Sequence, residues 1–214
     1  MRPFLLLSFG SLLSGGCRTE VVDVSDGFCA QQDMMIQTPD NTKCAAAKGL
    51  TGDNLLCVDF TSSQVLSDLT NTGWNFDKFD KGCWTVSSGK LQINTANFAT
   101  YMGTCGFVMS ALSASDYGKY NNFTLSVVHR VDISDAASQK LQVMLGIDDP
   151  SMRLVTQWTG KQSRQQSTMG MSKNDLPNGG TGVFQPLFKL NASLTAGGTA
   201  QGWQIESIAV NASP

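Results

Sequence analysis

Charge is what this 214-residue chain has least of: Asp, Glu, Lys and Arg make up 15% of it, against about 25% in an average soluble domain. Glutamate is nearly absent, with Glu20 and Glu206 alone, and His129 is the single histidine. No two cysteines stand in C-x-x-C spacing, so the paired thiolates typical of a structural zinc site are missing. Basic residues form no cluster along the chain and the net charge is −2, which argues against nucleic acid as a partner. No apolar run reaches the roughly 20 residues of a membrane-spanning helix. No G-x-S-x-G elbow is present, so a serine hydrolase would lack its usual nucleophile turn. In place of the missing charges stand Ser, Thr, Asn, Gln and 21 Gly, a mixture that suits short strands joined by turns.

The first residues carry an address. Arg2 is followed by an apolar stretch from Phe4 to Leu13, then by Ser14, Gly15 and Gly16. Charged, apolar, small is the order of a secretory signal peptide, which places residues 1–16 outside the mature domain. Cys17 comes directly after the small residues. The leader thus resembles a bacterial lipoprotein signal, in which the cysteine after the cut is acylated. It departs from the usual pattern in having Ser14 three residues ahead of the cysteine, with Leu13 one step further out. The resemblance implies Cys17 as the lipid-attachment residue of a protein anchored at the cell envelope, on the outer membrane or cell surface. One acyl chain anchors only marginally, whereas several on one residue hold firmly. Ordinary cleavage after Gly16 would give a freely secreted or periplasmic protein instead.

Export brings an oxidising compartment, so disulfides are the expected fate of the cysteines. Cys17, Cys29, Cys44, Cys57, Cys83 and Cys105 are even in number, and lipidation of Cys17 leaves five. Cys83 with Cys105 is the expected bridge of the sheet region, since both flank strand signals. Cys29 with Cys44 is expected to close a loop near the N-terminus, leaving Cys57 unpaired in an apolar strand.

Residues 17–52 show no sustained hydrophobic period and three turn-rich patches; they read as an irregular, disulfide-clipped stalk, or alternatively as a first strand and loops of the main domain. Residues 53–214 read as the main domain. Strand signals recur there: LLCVDF, the hairpin CWTV-SSGK-LQIN, GFVMSAL, KLQVMLGI, RLVTQWT, GVFQPLFKL and WQIESIAV. The cleanest alternation puts Phe123, Leu125, Val127, His129, Val131 and Ile133 on one face of a half-buried strand. His129 is therefore expected inside, hydrogen-bonded, and not as a general base. DDPS, PNGGTG and TAGGTAQG supply turns. Many short strands with polar turns and no convincing helix indicate an all-β, antiparallel β-sandwich or jelly roll.

The pieces FDKGCWTVSSGKLQI and GWQIESIAV resemble the concanavalin A-like lectin and glucanase sandwiches, in which a Trp-x-Val…Gly-x-Leu hairpin and a final W-x-I-x-x-I-x-V strand close one sheet. That resemblance implies a sheet able to hold a glycan or another extended ligand. The hydrolases of that fold carry an E-x-D-x-E strand, and the corresponding LSVVHRVDI offers only Asp132. A glycosidase needs two carboxyls about 5–9.5 Å apart, so catalysis is not expected. The four tryptophans are the ligand candidates, because sugars lay their C–H faces on large aromatic rings. Trp158 is the first choice, with Arg153 and Gln157 on the same strand as partners and the polar TGKQSRQQST following as a source of hydrogen bonds. Asp148 and Asp149 read as a tight turn before Pro150, with a calcium seed as the alternative; no metal or cofactor is expected. The functional expectation is an envelope lipoprotein whose sandwich binds carbohydrate or envelope glycan without catalysis. A structural or protein-interaction domain, and an atypical hydrolase or lyase, are the alternatives.

Overall fold

A computed structural model describes residues 44–61, 64–94, 100–112, 118–134, 138–146, 152–176, 184–195 and 202–214. The expectations placed on Cys17, Cys29, Asp148 and Asp149 lie outside the described residues. Eleven described strands run β1 (Asp53–Asp59), β2 (Asn75–Phe79), β3 (Trp84–Ser87), β4 (Lys90–Ile93), β5 (Thr100–Val108), β6 (Asn122–Asp132), β7 (Lys140–Leu145), β8 (Arg153–Trp158), β9 (Lys161–Ser172), β10 (Pro186–Thr195) and β11 (Gly202–Ser213). One short helix, α1 (Val65–Asn71), lies between β1 and β2. The strands form two antiparallel sheets. The six-stranded sheet has the order β3-β4-β11-β6-β9, with β1 also on β11; the five-stranded sheet has the order β2-β5-β10-β7-β8. The expected antiparallel β-sandwich is the fold observed.

The core is built by period-two patterning of both sheets. Phe123, Leu125, Val127 and Val131 of β6 face Leu141 and Val143 of β7 and Phe188 and Leu190 of β10 in one buried cluster. Aromatic rings cross the gap between the sheets. Phe188 stacks on Phe107 at 4.5 Å between centroids and meets Trp203 at 5.5 Å, while Trp84 stands edge-on to Phe107 at 5.2 Å. The β3–β4 hairpin turns through Ser88 (φ 52) and Gly89 (φ 73), two residues at positive φ as a tight hairpin whose twist matches its strands requires.

Strand β11 departs from simple alternation, and its sequence says so. Trp203 and Ile205 point into the core, and so do Ile208, Val210 and Ala212; the spacing W-x-I-x-x-I-x-V slips by one residue between the two sets. The slip is a β-bulge, because Ile205 pairs with His129 while Ser207 pairs with Val128. One extra residue, Glu206, restores the phase on either side.

Two sequence expectations are corrected. Residues 44–52 are not a stalk separate from the sandwich. A 3-10 turn at Ala45–Ala47 lies on the outer face of the six-stranded sheet, where Ala46 and Ala47 pack with Val128 and Ala209. The Gln166 amide donates to Ala46 O at 3.0 Å and Lys48 O at 3.1 Å. Gly52, at φ +90, then brings the chain over β11 so closely that a Cβ would sit 2.3 Å from Ala212 O. This packing overturns the cysteine pairing as well. Cys44 is bonded to Cys57 of β1, not to Cys29, and Cys57 is not free. The turn that covers β11 sits beside β1, which pairs with β11, so the two thiols meet. The Cys83–Cys105 bridge is as expected; it joins the residue before β3 in one sheet to β5 in the other.

The polar segment after Trp158, read from the sequence only as a source of hydrogen bonds, runs into the 12-residue strand β9. It is an edge strand, so one ladder edge and one face meet solvent, and only Met169 and Met171 reach full burial. Such a strand needs few apolar residues.

Non-reducing peptide mapping should recover Cys44 joined to Cys57 and Cys83 joined to Cys105. Replacing Cys83 and Cys105 together by alanine should lower the unfolding free energy by about 3 kcal/mol, the value for a loop of this size, read from urea midpoints.

Candidate functional site

The three residues expected to share a ligand do not form one site. In the β7–β8 ladder, Trp158 stands opposite Leu141 and Arg153 opposite Leu145, both of which are buried, while Gln157 stands opposite the outward Gln142. Residues opposite each other in an antiparallel pair share a face. A bulge between Val143 and Met144 adds a residue to β8, so Arg153 and Gln157, four apart, fall on opposite faces. Trp158 is half-buried against the core and meets His129 at 4.6 Å and Trp203 at 5.6 Å between ring centroids. Arg153 is taken up by Asp175, Nη1 to Oδ1 at 2.8 Å. Asp175 itself is held below the ordinary carboxylate range, first by the backbone N–H and hydroxyl of Ser172. Arg153 is exposed but held in that ion pair, and of the three only Gln157 lies on the outward face of the sheet.

His129 is the interior group that the strand pattern implied. Trp203 Nε1 donates to His129 Nδ1 at 3.0 Å. An indole N–H can only donate, so Nδ1 must accept and the ring proton sits on Nε2. Nε2 then donates to Ser167 Oγ, 2.8 Å away. Both ring nitrogens are thereby committed, and neither lone pair is left for a metal or a substrate proton. Burial pushes the imidazole pKa down from 6.5 to about 4. The chain Trp203–His129–Ser167 crosses three strands of one sheet and fixes the ring on which Trp158 packs.

The outer face of the five-stranded sheet is where side chains are offered to solvent. A single register row crosses it: Gly106 of β5, Lys189 of β10, Gln142 of β7 and Gln157 of β8 stand side by side. At ~4.8 Å per strand the row extends about 14 Å. Thr104 and Asn191 form the next row, joined by a hydrogen bond from Thr104 Oγ1 to Asn191 Oδ1 at 2.8 Å.

Phe79 closes one end of this face. Its register partner is the buried Cys105, yet its backbone has φ +75 and its ring lies on the outer side. Lys189 Nζ stands 5.0 Å from the ring centroid, and the ring leaves 40% of the residue exposed. Positive φ is rare for a bulky L-residue and costs on the order of 1–3 kcal/mol. The next residue offsets that cost, since Asp80 N–H donates to Thr104 O at 3.1 Å and Asp80 Oδ2 accepts from Thr104 N–H at 3.1 Å. Gly106 makes the room, because a Cβ there would stand 2.6 Å from the Phe79 ring. Sequence reasoning missed Phe79. An aromatic ending a short strand reads as core, and nothing in FDKGC marks a residue with reversed φ.

Among the described residues no group of three His, Cys, Asp or Glu side chains is placed to hold a metal ion. Asp132, the one carboxylate that the glycosidase alternative used, is 6% exposed and lies 3.4 Å from Lys161 Nζ.

No protein-family model matches the chain, and no curated protein matches it. Solved structures do. The K1 cleaved adhesin domain of Lys-gingipain from Porphyromonas gingivalis W83 is 13% identical over 74% of this chain and 98% of that one, with a TM-score of 0.48. A family 29 carbohydrate-binding module from Piromyces equi is 13% identical over 66% and 82%, with a TM-score of 0.36. A low-affinity xylan-binding module from Roseburia intestinalis is 14% identical over 61% and 83%, with a TM-score of 0.35. What those proteins bind is their own property at this distance.

The buried histidine carries a pH prediction. Its folded pKa lies below its unfolded value of 6.5, so the unfolded chain binds the proton more readily. The stability due to neutral His129 is complete above pH 6.5 and is lost as pH falls toward 4, by roughly 3 kcal/mol in total. Urea midpoints measured from pH 7 to 4 should show that decline, and His129→Gln should flatten it.

Proposed function

We propose that this chain is a non-catalytic glycan-binding domain of a cell envelope, tethered through lipid on Cys17. The observation that carries the reading is Phe79, an aromatic ring held outward at φ +75 beside the row Lys189, Gln142 and Gln157. A ring takes the C–H face of a sugar, and amides and an ammonium meet its hydroxyls as donors and acceptors. None of these four side chains is a carboxylate, so the row itself supplies no acid–base pair for glycosidic cleavage. An extended saccharide would run across the strands, along the row. The tether is supported by the order of residues in the leader, with Cys17 directly after Gly16.

A protein partner on the same face is the second reading, and Leu154 favours it. It lies on the edge strand β8 in register with Met144 and is 46% exposed, an apolar residue that a saccharide would not need.

Titration of the full chain against a panel of neutral oligosaccharides should give binding that weakens by roughly 3- to 10-fold in Phe79→Ala and weakens also in Gln157→Ala. Absence of binding to every neutral glycan, with Leu154-dependent capture of a defined envelope protein, would replace this reading with the second. For the tether, Cys17→Ser should move the protein from the membrane to the soluble fraction; a protein that stays membrane-bound would overturn it.

A further inference from the structure

The outer face of the six-stranded sheet carries a surface of different chemistry. Two β-bulges flank β6 at one level, the first on β11 at Glu206 and the second on β9, where Gln165 pairs with His129 but Gln162 with Val131. Bulges re-aim side chains out of the pleat. Here they border a cleft of about 360 Å³ that receives Lys90 from β4, Arg130 from β6, and Lys161 and Arg164 from β9.

The charges in this cleft do not cancel. Glu206 is shared by Arg164, whose Nε donates to Oε2 at 2.8 Å, and by Lys90 at 3.8 Å. Lys161 is paired with Asp132 at 3.4 Å. Four cations therefore face two carboxylates, and the exposed Arg130 guanidinium has no partner among the described residues. The Arg164 contact uses Nε and leaves its two terminal nitrogens outside that bond. The chain as a whole carries −2, so the positive surplus is a property of this cleft and not of the molecule's overall field.

Guanidinium forks match carboxylate, sulfate and phosphate oxygens with two parallel hydrogen bonds. The remaining lining side chains, Gln162 and Ser163, are polar, and none of the lining residues is aromatic or aliphatic. That leaves no platform for stacked bases and no apolar side to enter a lipid surface. We propose that this cleft binds an acidic polysaccharide through its oxyanion groups, with Arg130 as the open fork and Arg164 and Lys161 as flanking charges. The site lies on the opposite sheet from Phe79 and stands independently of the neutral-glycan face.

The test is binding of the full chain to polygalacturonate, dextran sulfate and a glycerol-phosphate polymer, which separate carboxylate, sulfate and phosphate as the group recognised. Neutral dextran, a single-stranded DNA oligonucleotide and phosphatidylglycerol vesicles are the comparison probes. At least one acidic polymer should bind, with affinity falling as salt is raised. Arg130→Gln and Lys161→Gln, both exposed positions, should each weaken it by about tenfold, with melting temperature unchanged in Arg130→Gln and lowered in Lys161→Gln, which leaves the buried Asp132 unpaired, while Phe79→Ala leaves it at the wild-type value. The proposal is overturned if no acidic polymer binds better than neutral dextran, if the Arg130 and Lys161 variants bind as wild type, if Phe79→Ala abolishes binding, or if DNA or vesicles bind as tightly.

Discussion

Strand β11 has no side that faces water along most of its length, and that constraint organises the sandwich. Its backbone pairs with β6 along one edge and with β4 and then β1 along the other. Trp203, Ile205, Ile208 and Val210 fill the core, while Ala209, on the other face, is covered by the 3-10 turn at Ala45–Ala47. A strand buried on both faces cannot alternate apolar with charged residues as a half-solvated one does. Its polar side chains need partners, and Asn211 finds one in Thr51 O at 3.4 Å. The cover over β11 requires residues 44–52, the passage at Gly52 and the disulfide to β1. The part of the outer face left uncovered is where Glu206 and Arg130 meet solvent. The sheet's cleft is thus the complement of its lid.

The two outer faces divide the chemistry between them. One presents amides, an ammonium and an aromatic ring in a strand-crossing row; the other gathers four of the chain's fifteen lysines and arginines around one cleft. In a chain with so few charges, that concentration is a product of topology. Lys90, Arg130 and Arg164 lie 34 to 74 residues apart in sequence and come together only because β4, β11, β6 and β9 are neighbours. No local reading of the sequence groups them.

Much of the fold was legible, and the physical reason is the same in each case. The alternation from Phe123 to Val131 is strong because that strand has a full hydrophobic partner face, and the hairpin at Ser88 and Gly89 is strong because its turn demands unusual φ. Even the bulge in β11 is written in the slipped spacing of Trp203, Ile205, Ile208 and Val210. What was hidden depended on long-range register. The polar β9 lacks a signal because an edge strand needs few apolar groups. The face of Arg153 relative to Gln157 depends on a bulge in β8, and spacing alone cannot reveal it. The partner of Cys44 depends on where β1 docks. Trp158, singled out as the ring on which a ligand would stack, is half-buried against the core beside His129 and Trp203, surroundings that come from other strands and that its own segment does not announce.

The Cys44–Cys57 bond also determines how tension would pass through the molecule. It is a covalent shortcut: a pull on the chain ahead of Cys44 is delivered to Cys57, in the middle of β1, without loading the twelve residues between them. The short turn over β11 is held by a small apolar cluster and a few hydrogen bonds, and would peel first if force ran through it. With the shortcut in place the load falls on the β1–β11 ladder, and a backbone cut anywhere from residue 45 to 56 leaves the two ends still joined.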